Sequence, residues 1–201
     1  RLAPSIQMIP QLQELVGDPK ARASNNTILT KEFGSGGVLV CTGANSAVGL
    51  RSMPVRYLFG DEISAWPSDC GEGDPLSLAE KRTTTYARRK IFLCSTPTIK
   101  GICRIEREYQ NSTQKKFFVP CPFCKHKQPL EWKGIVWDKS EDGEHLPETA
   151  KYECQECHQL IPESRKTSMM KQGEWISQNP DANPKIQGYS INGLYSPVGW
   201  R

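Results

Sequence analysis

Cys121, Cys124, Cys154 and Cys157 form two Cys-x-x-Cys pairs with twenty-nine residues between them. Each pair reads as a tight turn of the rubredoxin-knuckle kind, Cys121-Pro-Phe-Cys124-Lys-His126 and Cys154-Gln-Glu-Cys157-His158. Thiolates one turn apart can face a single ion at about 2.3 Å, so two such knuckles close one tetrahedral zinc site. Four sulfur ligands leave no open coordination position. The expected zinc is therefore structural, and its binding supplies folding free energy to a subdomain too small for a large core. A redox Cys-x-x-Cys or a pair of disulfides are the alternatives for the same residues. His126 and His158 stand beside the pairs, each able to replace a neighbouring thiolate or to stay outside the ligand set.

A chain of 201 residues with 37% hydrophobic content has room for one sizeable domain or one and a half. It has no run of about eighteen apolar residues and no signal-peptide core, so nothing in the sequence places it in a membrane. Cys41, Cys70, Cys94 and Cys103 are scattered, and the expectation for them is reduced and buried. The abrupt ends, Arg1-Leu-Ala-Pro-Ser and Trp200-Arg201, suggest a segment of a longer polypeptide. Net charge is +4, yet residues 81–116 hold ten Lys or Arg against Glu106 and Glu108. Such a concentration marks either a phosphate-attracting surface or a solvated helix face.

Apolar residues at 6, 8, 9, 12, 15 and 16 fit a short amphipathic helix interrupted or started near Pro10 and ended at Gly17-Asp-Pro19. Asn25 to Glu32, followed by Gly34-Ser-Gly-Gly37, reads as a hairpin feeding the strand Val38-Leu-Val-Cys41. Residues 55–60 and 89–94 read as strands, with a helix over Leu76 to Tyr86 between them, capped by Asp74 and opened by Pro75. Strand, helix, strand at this spacing is a βαβ unit, so the sheet is expected to be parallel and covered by helices. Gly101 to Ser112 reads as a further helix. From Phe117 onward the pattern turns to short strands around the cysteine pairs, with an acidic tip over Asp138 to Glu148, then a helix and strand over Pro162 to Trp175. The expected fold is α/β: a partial P-loop-type parallel sheet followed by a zinc ribbon. Its expected parts are 1–116, an α/β part; 117–162, the ribbon; and 163–201, a linker.

Ligands of open parallel sheets collect at the carboxyl ends of the strands, and two polar clusters stand there: Asp61-Glu62 and Ser95-Thr96-Pro97. An apolar run ending in Asp-Glu has the Walker B form. Its first carboxylate, Asp61, can hold Mg²⁺, and its second, Glu62, can polarise the water that attacks a γ-phosphate. The hydroxyls of Ser95 and Thr96 can bridge a nucleotide pocket to moving parts, or serve a turn. Arg51, Arg82, Arg88 and Arg89 are candidates for a phosphate contact.

Taken in order, Gly43-Ala-Asn-Ser46, Leu50-Arg-Ser52, Val55-Arg-Tyr-Leu-Phe-Gly-Asp-Glu62, Gly73-Asp-Pro75, Arg82-Thr83, Ser95-Thr-Pro-Thr98 and Ile105-Glu106 resemble the lambda-type phage terminase large subunit, the GpA family. Cys121-Pro-Phe-Cys124, Tyr152-Glu-Cys-Gln-Glu-Cys157, Met170-Lys-Gln-Gly-Glu-Trp175 and Gly188-Tyr-Ser-Ile-Asn-Gly-Leu-Tyr-Ser-Pro197 resemble that family's zinc-containing linker. The resemblance implies a motor that hydrolyses ATP with Mg²⁺ to pump double-stranded DNA into a procapsid, and a nuclease that cuts concatemers. It also implies a small terminase subunit and a portal as partners, a homo-oligomeric motor, and the cytoplasm of a bacterial host. Asp61 would coordinate Mg²⁺, Glu62 would be catalytic, and Ser95, Thr96 and Pro97 would match the coupling motif.

The sequence departs from the family in holding no Gly-x-x-x-x-Gly-Lys-[Ser/Thr], since Gly34 to Gly37 lacks the Lys and the following helix. The acidic nuclease cluster is also absent. The resulting expectation is a middle segment, inactive by itself, with Walker A before Arg1 and the nuclease after Arg201. A degenerate prophage remnant would carry the same residues. A non-catalytic zinc-ribbon module binding DNA or a partner protein is the alternative reading, and a helicase is a third.

Overall fold

The computed structural model describes residues 2–16, 26–197 and 199–200, which fall into two compact units, Arg1–Thr96 and Pro97–Arg201. The unit Arg1–Thr96 opens with α1 (Leu2–Met8) and α2 (Pro10–Leu15). Pro10 divides the amphipathic segment because it lacks an amide proton, and it sits in the first turn of α2, where none is needed. The helix stop expected at Gly17-Asp-Pro19 and the hairpin start at Asn25 lie outside the described residues.

Strands β1 (Thr30–Glu32) and β2 (Val38–Val40) pair antiparallel around the glycine-rich turn, where Gly36 takes φ 85°. The Gly34 to Gly37 cluster is thus a hairpin turn, and the apolar run after it belongs to this small sheet. Helix α3 (Ala47–Arg51) follows, with the Ser46 side chain accepting from the Gly49 amide.

Strand β3 (Tyr57–Gly60), helix α4 (Pro75–Lys81) and strand β4 (Lys90–Leu93) form the βαβ unit, with β3 and β4 parallel and in register from Tyr57↔Lys90 to Gly60↔Leu93. Asp74 caps α4 by accepting from the Ser77 amide at 2.9 Å. The helix stops at Lys81 rather than running to Tyr86. Thr83 and Thr84 turn their hydroxyls onto the Glu80 and Lys81 carbonyls, and β-branched residues that bond locally in this way compete with the helical ladder.

The parallel sheet has two strands among the described residues. Helix α4 packs on β3, with Leu76 and Ala79 buried, but Tyr57, Phe59 and Phe92 are exposed on the other face, Phe59 at 70%. Parallel sheets are ordinarily covered on both faces, so this apolar face is a departure from the expected helix-covered sheet.

Within Pro97–Arg201, α5 (Arg104–Gln110) begins three residues later than expected, because Gly101 adopts φ 86° and gives its amide to the Glu106 carboxylate. Strand β5 (Lys115–Pro120) is antiparallel to β6 (Lys127–Pro129) and β10 (Glu174–Ser177) and parallel to β11 (Tyr189–Ser190). A second sheet holds β7 (Ile135–Lys139), β8 (His145–Glu153) and β9 (Leu160–Ile161) in that order, all antiparallel. The acidic tip is the β7–β8 turn. Helix α6 (Lys166–Lys171) then leads to β10.

Val119, Leu130, Ile135, Tyr152, Ile161 and Trp200 bury together around Cys121 and Cys154. Strand β5 runs across the boundary expected at 116/117. Residues 163–201, expected as a linker, contribute β10, β11, Leu194, Tyr195 and Trp200 to the same sheet and core as the knuckles.

Candidate functional site

The register of β3 and β4 sets Gly60 beside Leu93 and therefore places Asp61 next to Cys94 and Glu62 near Ser95. Backbone bonds fix that rim: the Cys94 amide donates to the Gly60 carbonyl at 2.9 Å, and the Ile63 amide donates to the Cys94 carbonyl at 3.3 Å. The turn after β3 folds back as a short 3-10 helix, Ile63–Ala65, which requires the absence of a side chain at Gly60. A Cβ there would stand 2.9 Å from both Ile63 Cγ2 and Leu93 Cδ2. Glu62 adopts a left-handed backbone, φ 50° and ψ 41°, a conformation that costs a non-glycine residue about 1–2 kcal/mol. Such strain is stored where a turn must aim a side chain.

Side-chain contacts join the two strand ends. The Cys94 thiol donates to Asp61 Oδ1 at 3.2 Å, and that bond, followed by burial, pushes the thiol pKa up. Ser95 Oγ accepts from the Ser64 amide at 3.1 Å and lies 3.5 Å from Glu62 Oε2, a long contact. Trp66 Nε1 donates to the Asp61 carbonyl at 2.9 Å. Asp61, Glu62 and Thr96 are exposed, and Ser95 is half-buried. Two carboxylates and a hydroxyl thus share one strand-end rim open to solvent, an arrangement able to hold a hydrated divalent cation. Cys94 takes part in this rim although its place in the sequence marked it only as one of four scattered cysteines. The signal that finds it is the register itself, since residue 94 follows β4 as residue 61 follows β3.

The four arginines are not gathered on this rim. Arg51 pairs with Glu72, and Arg82 reaches the Arg51 carbonyl at 3.4 Å. Arg88 and Arg89 precede β4, at the opposite end of the parallel strands from Asp61, about 13 Å away along a four-residue strand. The basic stretch 81–116 is itself divided between the two units.

The cysteines come together as the spacing predicts. The sulfurs of Cys121, Cys124, Cys154 and Cys157 all lie within 4.8 Å of one another, with Cys121–Cys157 at 3.8 Å and Cys124–Cys154 at 3.7 Å. A tetrahedron with metal–sulfur bonds of about 2.3 Å has edges of about 3.8 Å, so the donor set fits zinc in size, type and number. A disulfide needs about 2.05 Å, which these pairs do not approach.

The two knuckles also repeat one backbone pattern. Cys121 N bonds His126 O and Lys125 N bonds Cys121 O, while Cys154 N bonds Gln159 O and His158 N bonds Cys154 O. Lys125 and His158, each just after its second cysteine, are left-handed at φ 65° and 58°. His158 turns its Nδ1 to Glu153 at 2.9 Å, and neither His158 nor His126 joins the cluster. Burial raises the Cys121 thiol. Burial also acts to raise Cys154, but the Cys157 and Glu156 amides outweigh it and lower that thiol to about 7. At Cys157 the Gln159 amide pulls downward, yet burial and the neighbouring thiols push it up to about 12. Four close sulfurs do not ionise together unaided, and a divalent cation supplies the charge that lets them.

Fold and site together define a two-unit α/β protein with an acidic strand rim and a four-cysteine cluster compatible with zinc. Residues 1–175 match the family described as the phage terminase large subunit gpA, ATPase domain. Among known relatives, the large terminase subunit of Enterobacteria phage P21 is 32% identical over 184 residues, covering 88% of this chain and 28% of the relative. The large terminase subunit of Escherichia phage lambda is 33% identical over 131 residues, covering 64% of this chain and 20% of the relative. No solved structure gives a significant match. The chain therefore belongs to the gpA terminase large subunit family, and it spans less than a third of the length of these two relatives. Among the described residues no helix is long and apolar enough to cross a membrane.

Proposed function

We propose that this chain is the central segment of a viral DNA-packaging motor, a terminase large subunit that couples ATP hydrolysis to translocation of double-stranded DNA and cuts concatemers. The observation that carries the reading is the common rim of Asp61, Glu62 and Ser95 at the ends of β3 and β4, in a chain of the gpA ATPase-domain family. Asp61 is the carboxylate suited to hold Mg²⁺, and Glu62, held left-handed one residue on, is the one suited to accept a proton from the attacking water. Ser95, Thr96 and Pro97 form the coupling element, because a hydroxyl between Glu62 and the Ser64 amide senses where the carboxylate sits.

Cys121, Cys124, Cys154 and Cys157 hold a structural zinc, supported by the tetrahedral sulfur spacing. The functional division is an ATPase part to residue 116, a ribbon over 117–162 and a continuation over 163–201. The segment by itself hydrolyses little ATP, since its sequence offers no phosphate-binding loop. Action takes place in the cytoplasm of a bacterial host, in a homo-oligomer, with a small terminase subunit and a portal as partners.

The test is steady-state ATP hydrolysis by the full-length protein carrying Glu62→Gln or Asp61→Asn. Each substitution is expected to lower kcat at least about 100-fold, in line with the loss of a positioned general base or of a metal ligand. Unchanged rates in Glu62→Gln would remove the catalytic assignment.

A further inference from the structure

We infer that Gln128 is a positioning residue of the four-cysteine site, tying the two knuckles together and setting how firmly metal is retained. The inference rests on reading the cysteines as metal ligands. Gln128 lies on β6, just after the first knuckle, and its side chain is fully buried, at 0% exposure. Glutamine is seldom buried so completely without a bonding reason. Its Oε1 accepts the backbone N–H of Gln155 at 2.8 Å, and Gln155 stands between Cys154 and Cys157 inside the second knuckle. The orientation of the amide is fixed by chemistry, because a backbone N–H can face only the oxygen.

One bond therefore runs from the strand leaving the first knuckle into the second, across twenty-seven residues of sequence. The other end of the amide, Nε2, is buried and finds no partner. A buried donor without an acceptor destabilises a fold, so an apolar side chain of similar volume would suit the core better if packing were the only requirement. What glutamine adds is the cross-knuckle bond. Loss of an outer-shell group that orients ligands typically costs about 10–100-fold in metal affinity.

The knuckles supply their own control. The position in the first knuckle equivalent to Gln155 is Pro122, which has no N–H, so this backbone accepts proline there. Gln155→Pro deletes the donor of the bond, and Gln128→Met deletes its acceptor at nearly constant volume. Zinc affinity of the 201-residue chain is measured by competition with a chromophoric chelator, and the Co²⁺-substituted site by its absorption spectrum. Each variant is expected to bind zinc about 10–100-fold more weakly. The double variant is expected to lose no more than the weaker single variant, because both changes remove the same bond. The Co²⁺ bands should shift in both variants. If Gln128→Met fails to fold, Gln155→Pro is compared with Gln155→Ala, which keeps the N–H and removes only the 3.4 Å contact of Gln155 Nε2 with the Pro129 carbonyl; weaker zinc binding in the proline variant than in the alanine variant then carries the test. Zinc uptake by the wild-type chain with unchanged affinity in the variants, or losses that simply add, would overturn this inference alone. A wild-type chain that takes up no zinc overturns the metal reading and this inference with it.

Discussion

Removing metal from the cysteine site should unfold Pro97–Arg201 and leave Arg1–Thr96 largely intact. The core packed around Cys121 and Cys154 is small, and strands from both sides of the knuckles converge on it, so the sulfurs hold the centre of the unit rather than an appendage. Structural zinc binding contributes about 10–16 kcal/mol to small metallo-domains, which is the size of a whole domain's stability of about 5–15 kcal/mol. Even a third of that, about 4 kcal/mol, lowers the melting temperature of a unit of this length by about 16–32 °C. Tyr152 and Trp200, with ring centroids 5.5 Å apart beside the cluster, report the loss as a collapse of near-ultraviolet circular dichroism. The expected result on chelation, or in Cys154→Ala, is loss of that signal and of one thermal transition, with part of the far-ultraviolet signal retained. A chain proven metal-free by elemental analysis, yet with unchanged near-ultraviolet dichroism and melting, would refute the reasoning.

Further predictions follow from the same geometry. Acid should mimic chelation: Cys154, lowered from 9.0 to about 7, contributes stability that is complete above pH 9 and is lost as pH falls through about 7. Cys157 acts in a separate, alkaline window, since its raised thiol contributes below pH 9 and loses that contribution as pH rises toward 12; near-ultraviolet dichroism of the chain followed from pH 6 to 12 reports both. Gly60→Ala should destabilise Arg1–Thr96 by about 1–3 kcal/mol, because the added methyl meets Ile63 and Leu93 at 2.9 Å, and an unchanged denaturation midpoint would contradict it. Phe59→Thr with Phe92→Thr should reduce light scattering by the concentrated chain without lowering its melting temperature, since both rings stand exposed on the open face of β3 and β4.

The sequence made legible what depends on local spacing. Two Cys-x-x-Cys turns imply their own knuckles, Asp74-Pro75 implies a helix start, and an apolar run closed by Asp-Glu implies a strand end; each is present where its residues stand. Helix ends were less legible, because Thr83 and Thr84 end α4 through hydroxyl bonds that apolar periodicity does not encode. Least legible was anything fixed by pairing between distant strands. β5 joins three neighbours drawn from 127–129, 174–177 and 189–190, which is why a boundary placed by the change of pattern at 116/117 falls inside a strand.

Register explains the same pattern at the two sites. Cys94 reaches Asp61 only because Gly60 faces Leu93, and a shift of one residue in β4 would turn the thiol to the other face of the sheet and separate Ser95 from Glu62. Gln128 reaches Gln155 only because β6 pairs with β5 as Val119↔Gln128, which turns its side chain into the core beside the second knuckle. In both places the residues with recognisable chemistry are set by short motifs, while the residues that aim them are set by strand pairing. A motif search finds the carboxylates and the thiols, but the neighbours that hold them in position follow only from the assembled sheets.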